Sequence, residues 1–373
     1  MQKKDPPILV TRPSLPPVEE FEALVREIFS SGFLTNGGTQ HKKLEAALSE
    51  KLETPHLRLF TNGHLALECA ISALNLSPGE IITTPFTFIS TTHAIVRCGF
   101  TPVFCDVETD FFTLDPAKIE EKITESTRAI LPVHVYGNPC DMEAIDAIGK
   151  KHNIPVVYDA AHAFGVSIHG RAVADFGTAS MFSFHATKCY HTIEGGAIAT
   201  KDGAFAELLN GYKNFGFHAD DEIREAGGNA KMNEFQAAMG YLNLKYFDRE
   251  IERRALVAAR YRENLAGIAG LSFRPVREGA TQNYAYLPVS FDPAVFGADR
   301  DEVNETLKQY GIFARKYFYP LTSEAACYAG RFDVSQTPVA FAASRNVLTL
   351  PMYASLALSD VDDICEIIAG CKR

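Results

Sequence analysis

Between Leu57 and Thr200 short β-rich runs alternate with stretches at helical spacing, and that alternation leaves the chain few ways to fold. The strand-like runs are Leu57–Thr61, Ile81–Phe88, Thr101–Val107, Ala129–Tyr136, Pro155–Asp159, Ser180–Phe184 and Ala197–Thr200. Between them, 65–74, 90–98, 116–123 and 142–152 carry apolar residues at helical intervals. Several strand runs are continuously apolar rather than alternating, as expected when both faces of a sheet are covered. Strands interleaved with helices predict an α/β layered sheet.

The flanks read differently. A proline-rich stretch ending at Pro17 predicts an extended arm. Helices are expected over 18–30 and 40–52, separated by the glycine-rich loop Gly32–Thr39. Met232, Phe235, Met239 and Leu242 fall at helical spacing and start one long helix running toward Leu265. Beyond it, 284–289 and 311–317 are strand-like, and 301–310 and 359–368 are helical. The expected organisation is an arm over residues 1–17, a large α/β domain over 18–245 and a smaller α+β domain over 246–373. Two or three domains suit a chain of 373 residues, at roughly 100–200 residues each.

A net charge of −10 argues against nucleic acid or an anionic membrane as partner, since both need a concentrated positive field. The eight cysteines form no CxxC pair, so neither a metal site nor a small disulfide framework is expected. The opening MQKKDPPILV has no apolar core of a leader peptide after its lysines. No apolar run approaches the roughly 18 residues that cross a bilayer. A cytoplasmic protein with reduced thiols is the expectation.

Four motifs carry chemistry. Val156–His162 (VVYDAAH) puts Asp159 at the carboxyl end of a strand, where open α/β sheets bind ligands. A carboxylate buried there needs a cationic partner or a helix to cap. Ser183–Lys188 (SFHATK), followed by Glu194-Gly195-Gly196, sets a lysine just after a strand. Desolvation would free its amine for Schiff-base chemistry; a solvated surface lysine is the alternative. Thr61-Asn62-Gly63-His64 opens a helix through a glycine turn, a ready anion site. It is neither GxGxxG nor GxxxxGK[ST]. Thr84–Phe88 (TPFTF) ends a strand with an aromatic that could stack on a flat ring or simply fill the core.

Together and in this order, the motifs resemble the DegT/DnrJ/EryC1/StrS family of pyridoxal-phosphate (PLP) sugar aminotransferases. The likeness runs through GFLTNGG, TNGHLALECA, TTPFTF, LPVHVYGNPCDMEAI, VVYDAAHAFG, SFHATKCYHTIEGGAI, GGNAKMNEFQAAMG and LTLPMYASLALSDVDDICEII. It implies the aspartate-aminotransferase-like fold (fold type I), with a large mixed-sheet domain and a smaller carboxyl-terminal one. It also implies that Lys188 holds PLP through a Schiff base and moves the proton during transfer. Asp159 would pair with the pyridinium nitrogen, and His162 would contact the ring hydroxyl. Phe88 would stack on the ring. Gly63 and His64 would bind the phosphate through backbone N–H groups, with the Ser183 hydroxyl. Asn229 would reach the phosphate from the partner subunit of a homodimer.

The family more often carries Thr at the place of His64, which puts a side-chain phosphate contact there in doubt. Relatives with His at the lysine position are dehydratases; Lys188 keeps the aminotransferase reading. The stretches ITTPFTFIST, PVHVYGNPCD, YDAAHAFG and ARKYFYPL resemble members that aminate dTDP-4-keto-6-deoxyglucose at C4 with L-glutamate as donor. Amination at C3, or of GDP- or UDP-linked keto sugars, are alternatives within the family, and O-antigen or another surface glycan is the pathway it suggests. Arg315 and Lys316 are candidate pyrophosphate contacts, or a solvated strand end. Outside the transferases, a catalytically silent PLP-binding regulator and a non-PLP oxidoreductase are the competing readings.

Overall fold

A computed structural model describes residues 2–373. Its main sheet has two groups of strands. His56–Phe60, Gly196–Thr200, Ala179–Ser183 and Val157–Asp159 are hydrogen-bonded in that order, and Thr101–Phe104, Glu80–Thr83 and Thr127–Leu131 form the other group. Parallel bridges from Ile130 to Val156 and from Val133 to Asp159 join the groups into one layer. Only Gly196–Thr200 runs antiparallel to its neighbours, so the sheet is mixed. Along each strand, successive side chains enter opposite cores. Leu59, Ile82, Tyr158 and Phe182 pack on one face, while Phe60, Ile81, Val157 and Met181 pack on the other. This is why the runs are apolar without alternation.

A second sheet, Leu271–Phe273, Leu287–Phe291 and Val347–Leu350, is antiparallel. Its core includes Val257 and Tyr261 of the helix Phe247–Asn264, and Val361 and Ile364 of Leu358–Gly370. The amino-terminal segment is tied down rather than free. Ile8–Leu9 pairs in parallel with Ile312–Phe313. Farther along, Ser14 donates to Glu250 at 2.5 Å, and its carbonyl accepts from His191 at 2.7 Å.

Several elements differ from their sequence expectation. The long helix from Met232 breaks at Tyr246 into Glu234–Lys245 and Phe247–Asn264. The first is buried around most of its girth, whereas the second exposes one face; the break, with Tyr246 at φ −103° and ψ 2°, falls where a core helix becomes a covering one. Residues 116–123 form two 3₁₀ turns, Pro116–Lys118 and Glu120–Lys122, because Ile119 alone is buried there and a short helix with one anchor is marginal. The run from Ala129 stops at Leu131, ahead of Pro132, and Tyr136 turns with φ 60°. The strand expected at 284–289 starts at Leu287, and that at 311–317 shrinks to Ile312–Phe313.

The two sheets are bolted together by Asp106, which is 1% exposed. Its carboxylate accepts from the Ala340 and Val339 N–H groups at 2.9 and 3.1 Å and from Lys118 Nζ at 3.1 Å. It thereby caps the helix Pro338–Asn346, whose own N-cap residue, Thr337, makes no side-chain capping bond. Asp106→Ala is expected to cost about 1–2 kcal/mol, the scale of a lost N-cap, read as a lower urea midpoint. An unchanged midpoint would show that water replaces the cap at no cost.

Candidate active site

The carboxyl-terminal edge of the main sheet gathers the sequence motifs. Gly196 is in register with Phe60 on one side and Ser183 on the other. A Cβ on Gly196 would lie 2.8 Å from the Asn62 carbonyl, and one on Gly63 would lie 2.8 Å from Ser183 Cβ. Only glycine permits these approaches. They set the start of the helix Gly63–Ala73 against Ser183. Asn62 caps this helix by accepting from Leu65 N–H at 2.8 Å. The Gly63 and His64 N–H groups lie in the first turn, where no intrahelical acceptor exists. The His64 imidazole is engaged elsewhere, with Ser90 at 2.8 Å and Glu68 at 3.0 Å.

Asp159 ends the strand Val157–Asp159 and is 4% exposed. Thr91 donates to its Oδ2 at 2.8 Å and Ala161 N–H to Oδ1 at 3.1 Å. Burial raises its pKa; the Thr91 and Ala161 bonds and the positive charge of Lys188 oppose the rise without cancelling it. Thr91 arrives from the helix Ile89–Arg97, which starts directly after the TPFTF turn. Phe88 stands one turn before Thr91 and is 56% exposed, a large apolar ring that its own chain leaves uncovered.

His162, three residues after Asp159, is also buried. The Tyr136 N–H donates to its Nδ1 at 3.2 Å, which requires any single ring proton to sit on Nε2. Burial and the nearby Lys188 push its pKa well below the ordinary histidine range, so the ring is neutral. It lies parallel to Phe318 at 5.8 Å and meets the ring of Tyr286 edge-on at 4.9 Å.

Lys188 lies on the loop that links Ala179–Ser183 to Gly196–Thr200. Phe184 N–H bonds to Gly195 O at 2.8 Å and Thr192 N–H to Phe184 O at 2.9 Å, closing the loop's base. The Lys188 amine donates to the Tyr286 hydroxyl at 3.1 Å. Lys188, Asp159, His162, Gly63 and Ser183 thus share one edge of the sheet. Tyr286, Thr91, Tyr136 and Phe318 complete the surroundings and were missed in the sequence. Their contacts span large separations, and the aromatic-rich runs 284–286 and 317–319 were the only available signal.

Three expected residues sit apart. Asn229 is exposed and bridges to Asn214 within its own chain, next to Ala230, whose carbonyl accepts from Thr61 N–H at 2.8 Å. Arg315 and Lys316 line a cleft of about 810 Å³, together with Phe88, Leu9 and Thr11. The Arg315 backbone is paired with Thr349, and Lys316 Nζ lies 2.8 Å from Asp301.

The DegT/DnrJ/EryC1/StrS aminotransferase family model matches residues 17–369. The chain belongs to that family. It is 41% identical over 367 residues to the dTDP-4-amino-4,6-dideoxy-D-glucose transaminase of Shigella dysenteriae, covering 98% of each chain. The Escherichia coli protein of the same name is 39% identical over 371 residues, with 98% of this chain and 99% of that one covered. Among solved structures, DesI in the presence of its TDP-sugar product superimposes with a TM-score of 0.95 at 32% identity, over 100% of this chain and 94% of that one. The aminotransferase fold, a large mixed-sheet unit with a smaller carboxyl-terminal unit, is therefore that of fold type I PLP enzymes, and this family member is an enzyme. Its eight cysteines are free thiols. No helix among the described residues is long and apolar enough to cross a membrane.

Proposed function

We propose that this aminotransferase transfers an amino group from L-glutamate to a nucleotide-linked 4-keto-6-deoxyhexose, with dTDP-4-keto-6-deoxyglucose as substrate and dTDP-4-amino-4,6-dideoxyglucose as product. The observation that carries the reading is the buried Asp159 carboxylate, raised in pKa by desolvation, within the charge field of Lys188 and on the edge that carries the Gly63 turn. A carboxylate in such a place needs a fixed cation, and a protonated pyridine nitrogen supplies one. The donor set suits PLP: Asp159 for the ring nitrogen, His162 for the ring hydroxyl, Phe88 for the ring face, Gly63 and His64 N–H with Ser183 for the phosphate, and Lys188 for the aldehyde carbon. The choice of dTDP-linked sugar is supported by the names and the near full-length coverage of the Shigella and E. coli relatives.

When bound, PLP supplies an electron sink for the pair left at the carbon that loses its proton. The chain's own groups do the rest. Asp159 keeps the ring nitrogen protonated, which favours that sink. A neutral His162 can donate from Nε2 without adding charge. Lys188 takes the proton from the α carbon of the donor and returns it at C4′ of the cofactor, and the order reverses on the sugar. Arg315 and Lys316 would meet the pyrophosphate of the sugar nucleotide, with the arm's Leu9–Thr11 as the facing wall.

Residues 18–245 and 246–373 are proposed as the large and small domains, with residues 1–17 as an arm, in a cytoplasmic homodimer. Exposed Asn229 is proposed to reach the partner subunit's phosphate site. Mixing Lys188→Ala and Asn229→Ala subunits tests this. A mixed dimer has one site with Lys188 and an intact partner Asn229, and one site with both defects. Activity at low PLP should exceed that of the Asn229→Ala homodimer diluted with inactive subunits. The gain is bounded by one hydrogen bond to a charged acceptor, about 1.5–3 kcal/mol. No gain at any mixing ratio would leave Asn229 within its own chain. The substrate is tested by incubation with L-glutamate and a panel of dTDP-, GDP- and UDP-linked 3- and 4-keto sugars, with mass and NMR identification of the product. A faster reaction on a GDP- or UDP-sugar, or amination at C3, would replace the substrate named here.

A further inference from the structure

The small sheet contributes a hydroxyl to the lysine. Tyr286 precedes the strand Leu287–Phe291, and its Oη lies 3.1 Å from Lys188 Nζ. The nitrogen is 5.5 Å from the ring centroid, so it approaches beyond the hydroxyl end of the ring rather than over its face. The ring is fixed by three aromatic neighbours: His162 at 4.9 Å, Tyr317 at 5.6 Å and Tyr136 at 6.2 Å, all edge-on. The backbone that presents it is fixed as well. Asn283, 3% exposed, donates to the His162 and Phe164 carbonyls at 2.8 and 3.0 Å and accepts from Ala285 N–H at 3.1 Å. Asn283 thus pins this segment to the loop that follows Asp159.

We infer that Tyr286 is a positioning residue for Lys188, aiming its amine during cofactor capture and proton transfer. The inference rests on the assignment of Lys188 made above. A lysine side chain has four rotatable carbons and a compact charge, and by itself it samples many directions. A phenol both accepts from an ammonium and donates to an amine. Tyr286 can therefore hold Nζ in one direction whether the nitrogen is protonated or neutral. A carboxylate in its place would favour the ammonium and oppose the neutral nucleophile.

The test uses the full-length chain stripped of cofactor. On adding PLP, the Lys188 nitrogen adds to the aldehyde carbon, a C=N bond forms and water leaves; borohydride then fixes the product for peptide mass mapping against time. Pyridoxamine phosphate has no aldehyde, so its affinity reports the pocket and the fold alone. Tyr286→Phe should capture PLP about three- to tenfold more slowly, the scale of one lost hydrogen bond, with pyridoxamine phosphate affinity unchanged. In turnover the same variant should lose kcat and keep KM for the sugar. Capture at the wild-type rate would overturn the inference. So would a parallel loss of pyridoxamine phosphate affinity, since Tyr286 would then only support the pocket wall. Fixation of the wild-type chain at another lysine would overturn the Lys188 assignment and this inference with it; labelling at Lys188 at equal rates in both proteins would overturn only the role of Tyr286.

Discussion

Lys188→Ala is expected to lower turnover by roughly 10³-fold or more, the combined loss of a covalent anchor and of a positioned acid–base group. The variant should still fold. Lys188 is half-buried on a loop whose base is closed by backbone bonds of Phe184, Thr192 and Gly195, and its side chain makes one hydrogen bond, to Tyr286. It should also still bind the cofactor without a covalent link, because the Gly63 turn, Ser183, Asp159 and His162 are untouched. Added methylamine could restore part of the rate by supplying the missing base in solution. The measurement is single-turnover conversion of L-glutamate to 2-oxoglutarate, beside a thermal melt. Turnover within tenfold of the wild type would place the reacting amine elsewhere.

Asp159→Asn is expected to lower the rate by at least ~10²-fold, the scale of a lost preorganised electrostatic contact. The amide keeps the size and can keep the Thr91 bond, but it holds no proton on the ring nitrogen. The same substitution has an opposite effect on the cofactor-free chain. Burial raises the folded pKa of Asp159 above its ordinary 3.8, so the ionised carboxylate destabilises the folded state. That penalty is full above the raised pKa and fades as pH falls toward the ordinary value. Cofactor-free Asp159→Asn should therefore be more stable than the wild type at pH 7, and the advantage should shrink on acidification through the carboxylate range. That result would be stability given up at the site for function. Denaturant melts at several pH values check the sign, and a variant that is less stable at pH 7 with near-normal activity would make Asp159 a structural cap.

What could be read from the sequence depended on how local each feature is. Asp159, Lys188, Ser183 and Gly63 each sit at a strand end or turn, where a few adjacent residues decide the conformation. The continuous apolar runs announced a sheet covered on both faces, and the structure sends Tyr158 and Val157 into different cores. Contacts made by the chain's return were not legible. Thr91 reaches Asp159 across 68 residues and Lys188 meets Tyr286 across 98; the local sequence at Thr91 and in the aromatic run 284–286 does not say which residue each will meet. The break at Tyr246 was hidden for the same reason. Apolar spacing continues through it, while the surroundings change there from core to surface. The arm read as extended, but its pairing with Ile312–Phe313 depends on a strand more than 300 residues away, shorter than its sequence suggested.

Borohydride reduction of the native, cofactor-loaded protein, followed by peptide mass mapping, tests the central assignment most directly. The cofactor should be recovered on the peptide that contains Lys188, in a yield that L-glutamate added before reduction diminishes. Recovery on Lys201 or Lys213, or on no lysine at all, would contradict it.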